Sequence, residues 1–245
     1  MVDIMSKDRK KSRRPDILLI LAILLLITGV IFLLIDPYKN YKRKKIVESM
    51  VDSVESQIYL EDTEITFVVD RDANKVNGED YDLYGNEEEM AAQQQRIDEE
   101  MENLPQYVTL TCIAMIDIDS VNIHLPVWDE TSVVALRYGA GHYEDSVMPG
   151  EVGNCTILAH HMRSDGSMFN DLDEVEIGDL VKITVQGGHQ IVYNVDEIKI
   201  VEASELLDYA VGGITDTKQI TLVTCTYDDS GRKLRLLVIG HIIED

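Results

Sequence analysis

The sequence predicts a mainly β domain, a barrel or a sandwich, tethered to a membrane by one N-terminal helix. Three observations carry this. Ile17 to Ile35 is a run of 19 residues without a charge, which at about 1.5 Å per residue spans roughly 28 Å, the thickness of a bilayer's hydrocarbon. After Pro105 the chain turns into short apolar, β-branched runs separated by turn residues, the texture of a closed or sandwiched sheet. A length of 245 residues with 45% hydrophobic content is enough for one good-sized core beside the anchor.

In chain order, residues 1–14 form a basic tail with Lys7, Arg9, Lys10, Lys11, Arg13 and Arg14. Residues 15–36 read as an uncleaved anchor. The apolar stretch is longer than a signal peptide's core, and Asp36-Pro37-Tyr38-Lys39 offers no small-residue cleavage site. Lys39, Lys42, Arg43, Lys44 and Lys45 answer the basic tail from the other side, so the count of positive charges barely sets the orientation. The short tail is expected to stay cytoplasmic while the large following part is translocated. Both basic flanks suit anionic headgroups. Residues 37–104 read as an acidic spacer, with a turn-rich stretch from Asp70 to Asp82, a possible strand at Ile65–Val69 and an exposed helix from Glu87 to Met101. Residues 1–45 hold 11 Lys+Arg and 4 Asp+Glu, which leaves 11 against 41 for the rest. Such a field excludes nucleic acid as a partner and fits cationic substrates, calcium or plain solubility.

Residues 105–245 form the extracytoplasmic domain. Its expected strands are Val108–Ile116, Val121–Trp128, Thr156–Ala159, Leu180–Val185, Ile191–Val201, Ile220–Thr226 and Leu234–Ile243, with short helical pieces at Thr131–Tyr138 and Phe169–Val175. No repeat organises them.

The chemistry concentrates in the last two runs. Thr221-Leu-Val-Thr-Cys225 and the run through Arg235 flank Asp228-Asp229-Ser230-Gly231, a turn composition, and so read as a hairpin. Folding it about Ser230 pairs Cys225 with Arg235 on one face, Cβ atoms about 5 Å apart. A shorter turn would bring up Arg232 instead. Cys112, Cys155 and Cys225 have no metal-ligand spacing and cannot all pair. Cysteine at the end of an apolar strand is commonly a packed small hydrophobe; an exposed thiol beside a cation would be a nucleophile. Met148-Pro-Gly-Glu-Val-Gly-Asn154, then an apolar strand ending in His160-His161, supplies the base such a nucleophile needs. Adjacent strand residues face opposite ways, so one histidine at most looks toward a given site. His124, His142, His189 and His241 read as structural or exposed, Trp128 as core, and Asp117, Asp119, Glu144, Asp145 and Glu151 as a solvated acidic face without EF-hand spacing. Cysteine, imidazole and guanidinium together suggest acyl transfer.

From about Ile116 onward the chain resembles the sortases, cysteine transpeptidases of Gram-positive surfaces. Thr221-Leu-Val-Thr-Cys225 fits the family's nucleophile signature, Leu234-Arg-Leu-Leu-Val-Ile-Gly240 its arginine strand, and Gly139-Ala-Gly-His-Tyr143 through Asn154 the approach to its histidine. The family's usual glycine before that histidine is Ala159 here. Counting six residues from Asn154, or nine back from Phe169, selects His160, with His161 a bystander. The resemblance implies an eight-stranded β-barrel with short helices. It also implies Cys225 as nucleophile, Arg235 as oxyanion clamp and His160 as acid/base, without metal or organic cofactor. The implied partners are a surface protein's C-terminal sorting signal, cleaved after threonine, and an amine of a peptidoglycan precursor or a pilin lysine. With neither a second apolar span nor a proline-rich lid, wall anchoring is favoured over pilin polymerisation, and the loop 202–218 is expected to read the signal. A cysteine hydrolase and a non-catalytic tethered barrel are the rivals.

Overall fold

In the computed structural model, the short apolar runs after Pro105 form strands that keep one face in a common core. The structure describes residues 17–60, 64–71, 87–162, 167–210 and 216–242; the basic tail and most of the turn-rich stretch 70–82 lie outside them. In chain order the strands are β1 (Ile65–Asp70), β2 (Tyr107–Ile118), β3 (Ile123–Trp128), β4 (Ala140–His142), β5 (Gly153–Leu158), β6 (His161–Met162), β7 (Ser167–Met168), β8 (Leu180–Val185), β9 (Gln190–Val201), β10 (Lys218–Tyr227) and β11 (Lys233–Ile242). The main sheet runs β1-β2-β3-β4-β5-β10-β11-β9-β8, and β8 pairs again with β2. That last pairing, Ala114 to Val185 through Asp117 to Lys182, closes eight strands into a barrel and leaves β1 as an added edge. The expected eight-stranded barrel is therefore what forms. Seven of its strands are legible as β-branched runs. The eighth, β4, is Ala-Gly-His and has no strand composition.

Inside the barrel lie Ile116, Val127, Cys155, Ile157, Phe169, Ile183, Tyr193, Ile220, Leu222, Leu236 and Val238. At 25 cal/mol per Å² of apolar area, each fully buried large side chain contributes about 1.5–3 kcal/mol before entropy is subtracted. The expected short helices appear as α3 (Val133–Tyr138), N-capped by the Ser132 hydroxyl, and as a single helical turn at Leu172–Glu174. An exposed acidic helix, α2 (Glu87–Asn103), stands where the Glu/Gln/Ala-rich stretch predicts one.

The chain divides into two compact units, Met1–Tyr38 and Lys39–Asp245. In the first, helix α1 (Ile17–Gln57) begins with apolar side chains that are exposed along their whole length, and it is long and apolar enough to cross a membrane. Within the second unit the spacer reading needs correction. Met50, Val54 and Ile58 are buried with Ile65, Val69, Leu110, Cys112, Trp128 and Tyr138 against the outside of the barrel. The acidic composition hid this because only every third or fourth helical residue faces the barrel, and those are apolar.

Candidate functional site

Cys225 stands directly opposite Arg235 in the antiparallel β10–β11 ladder. Asp228 sets that register. Its carboxylate accepts from the Ser230 amide (2.9 Å), the Ser230 hydroxyl (2.6 Å), the Arg232 amide (2.9 Å) and Arg232 Nε (3.1 Å). The Ser230 hydroxyl and then the Arg232 amide are the main causes that pull its pKa down to about 2. Gly231, at φ 84°, takes the left-handed position that closes the turn. Arg232 itself lies in this turn and pairs outward with Glu202 at 2.6 Å, so it is not the cation across from Cys225.

Which face the pair occupies follows from alternation. On β10, Ile220 and Leu222 point into the barrel while Val223 points out; on β11, Leu236 and Val238 point in while Leu237 and Ile239 point out. Cys225 and Arg235 fall on the outward set. There Val223, Leu237 and Ile239 form an apolar floor with Val201, Leu206 and Ala210. The last two belong to α4 (Leu206–Ala210), a short helix in the β9–β10 connection that the sequence reading had only as a loop.

The histidine strand lies alongside. β5 pairs in parallel with β10, Leu158 opposite Val223. The Ala159 amide continues that pairing to the Val223 carbonyl (3.1 Å), and the Thr224 hydroxyl donates to the Ala159 carbonyl (2.8 Å). Ala159 is in the barrel interior and Leu158 packs against the outer cluster. His160 follows two positions past Leu158, where β5 ends, as Cys225 lies two past Val223, so the segment that leaves β5 carries His160 alongside the Cys225 end of β10. His161 has left this pairing. It joins Met162 in a small hairpin with Ser167 and Met168, and the Phe169 amide returns to the His160 carbonyl at 3.0 Å.

Of the two readings open for Cys225, packed or exposed, the structure shows a covered side chain: Cys225 is 4% exposed and Arg235 is 3% exposed. The outer face of β10 is walled over along most of its length. Thr226 is already half-buried and Tyr227 is 39% exposed, so Cys225 is the last covered residue before the strand emerges. The other thiols differ in kind. Cys112 and Cys155 are fully buried, and burial pushes both up to about 12, which leaves them inert as nucleophiles.

A polar network that the sequence reading did not find fixes α4 above the floor. Asn154 Nδ2 donates to the Tyr209 carbonyl (2.7 Å), the Thr156 hydroxyl donates to the Ala210 carbonyl (2.8 Å), and the Thr221 hydroxyl donates to Asn154 Oδ1 (2.8 Å). All three side chains are buried. The only available signal was polar residues at alternate positions of otherwise apolar strands. Of the other histidines, His142 donates its Nε2–H to the Val147 carbonyl at 2.9 Å and His241 bonds Asp196, both structural roles. Asp117 and Asp119 are engaged by His124 and Lys182, and among the described residues no three His, Cys, Asp or Glu groups converge to hold a metal.

Comparison with known proteins follows the same residues. A family model described as the sortase domain matches residues 116–243. The chain is 26% identical over 113 residues to sortase D of Bacillus subtilis (strain 168), covering 46% of this chain and 53% of that protein. It thus spans about half the length of that relative. It is 24% identical over 237 residues to sortase A of Bacillus anthracis, covering 91% and 93%. Among solved structures, sortase C1 from Streptococcus agalactiae is 30% identical with a TM-score of 0.48, over 55% of this chain and 68% of that one.

Proposed function

The chain belongs to the sortase family, and on that premise we propose that it is a membrane-anchored cysteine transpeptidase with Cys225, His160 and Arg235 as its catalytic residues. The observation that carries this is the cross-strand pairing of Cys225 with Arg235, with the His160 strand hydrogen-bonded alongside. The Cys225 thiolate adds to the carbonyl carbon of a threonine in a surface protein's C-terminal sorting signal. Arg235 holds the oxyanion, an interaction made only as charge develops and therefore one that lowers the barrier. The peptide C–N bond breaks as the His160 imidazolium gives its proton to the leaving amine, and a thioacyl enzyme remains. An incoming amine then adds to that carbonyl, His160 takes its proton, and the thiolate is expelled as the new amide forms.

The amine is taken to belong to the cell wall, and the domain 105–245 to lie outside the cytoplasm behind the anchor 15–36. The covered outer face beside Cys225, with α4 above it, suits an extended peptide that must exclude water before it is acylated. The test is incubation of the detergent-solubilised chain with a library of threonine-containing sorting-motif peptides and triglycine, followed by mass spectrometry. Thioacyl enzyme and triglycine amide are expected. Acid as the sole product would establish a hydrolase, and no adduct at Cys225 would leave a non-catalytic barrel. A lysine side chain preferred over triglycine would turn the acceptor assignment toward pilin subunits.

A further inference from the structure

Arg43 belongs to the basic run after the apolar span, where headgroup contact is the natural expectation. The structure puts it elsewhere. It is 2% exposed, among the largest fully buried side chains of the protein, and its Nη2 donates to the Ser167 hydroxyl at 3.0 Å across 124 residues of sequence. Ser167 sits in β7, whose partner β6 begins at His161 immediately after His160, and the Phe169 amide that follows β7 returns to the His160 carbonyl at 3.0 Å. The His160 backbone is therefore held by a hairpin, and the hairpin is held by a guanidinium from α1.

We infer that Arg43 is a positioning residue for the histidine of the active site, acting through Ser167 and the β6–β7 hairpin. Energetics favour this over simple docking of the helix. Removing a guanidinium from water is expensive, and an apolar side chain of similar size would hold α1 to the barrel as well or better. Apolar docking is already supplied further along by Met50, Val54 and Ile58. Beside Arg43 a half-open groove of about 290 Å³ is lined by Val47, Leu125 and Met168 together with Glu48, Asp52 and Asp171. Met168 of β7 packs into the barrel core, and the Arg43–Ser167 bond adds a directional hold on the same hairpin. Two strands of two residues each have little register of their own, so a part-buried charge-assisted bond weighs on where they sit.

This inference rests on the proposed role of His160, and the experiment separates the two. The full chain in detergent is assayed with triglycine and the library peptide of highest turnover. In Arg43→Ala, kcat is expected to fall at least tenfold while KM for the peptide stays within twofold, because the peptide floor of Val223, Leu237 and Ile239 is untouched. Ser167→Ala should reproduce much of that loss, the double variant should be no worse than Arg43→Ala, and Arg43→Lys, which keeps a donor, should recover part of it. A purely structural role would lower the melting temperature without splitting kcat from KM. Wild-type kcat in Arg43→Ala, or losses that multiply in the double variant, overturns the inference. Should Arg43→Ala fail to fold, Ser167→Ala decides alone: wild-type kcat there is equally fatal. If His160→Ala keeps full turnover, the catalytic assignment itself fails, a result distinct from active Arg43 variants beside an inactive His160→Ala.

Discussion

Cys225 carries two expectations that pull apart: a nucleophile needs access, and this one is 4% exposed. Iodoacetamide followed by peptide mapping addresses that directly. Cys225 should be the labelled thiol, more slowly than a free peptide cysteine, while Cys112 and Cys155, pushed up to about 12 by burial, stay unmodified in the folded protein. Labelling at either of those two with Cys225 spared would remove the catalytic reading. In turnover, Cys225→Ala should leave none with the fold intact by circular dichroism, and Arg235→Ala should cost about 10²–10³ in kcat, the usual effect of losing an oxyanion donor. The candidates are readable at this scale: Thr-Leu-Val-Thr-Cys, the arginine ten residues on, and the histidine six past Asn154 stand out in sequence as the residues proposed for catalysis. Accessibility is not, because it depends on which side chains pack over the outer face of β10, among them Val201 of β9 and Leu206 and Ala210 of the β9–β10 connection.

At the scale of elements, the β10–β11 turn depends on Asp228 and α4 on Asn154 together with Thr156, and removing Asp228 or Asn154 has a defined signature. Asp228 holds its proton less tightly folded than unfolded, with a pKa near 2 instead of 3.8. Its contribution to stability is thus complete above about pH 4 and disappears as pH falls through 2. Urea midpoints of wild type and Asp228→Asn should therefore differ at pH 5 and converge toward pH 2; a gap that does not change with pH refutes this role. Asn154→Ala should cost about 1–3 kcal/mol, since it strands the buried Thr221 hydroxyl and the Tyr209 carbonyl. It should also raise KM for the peptide more than it lowers kcat, because α4 borders the floor and not the reacting atoms. An equal loss in kcat would place α4 in the chemistry instead. The hairpin was legible from its turn residues and strand runs, which left Arg232 open as the partner of Cys225; the ladder places Arg235 there. The eighth strand and α4 were not: Ala-Gly-His and Leu-Leu-Asp-Tyr-Ala are too short for a periodic signal, and they form where neighbours offer hydrogen bonds.

For the whole molecule, the end of α1 is joined to the barrel by a titratable link as well as by packing. His124 on β3 bonds Asp117 on β2 and reaches Glu55 of α1 at 3.2 Å. The Asp117 bond is the first cause of its raised pKa, with both carboxylate charges adding to it. This stabilisation is full below about pH 6.5 and is lost as pH rises through the raised value. The melting temperature of the full chain in detergent should accordingly drop from pH 6 to pH 9, and His124→Gln should flatten that drop; an unchanged drop in the variant would show that other groups govern it. Residue order alone determined an apolar helix long enough to cross a membrane, a β-rich domain after it, and a cysteine, histidine and arginine whose arrangement fits acyl transfer. These are local properties, written in runs and spacings. Tertiary structure decided that the acidic segment after the span is part of the folded body, that Arg43 is buried in protein and not set at headgroups, and that the thiol lies under cover. Each of these depends on which distant surface a side chain meets, and chain spacing does not encode that until β8 pairs with β2 and the barrel has an outside.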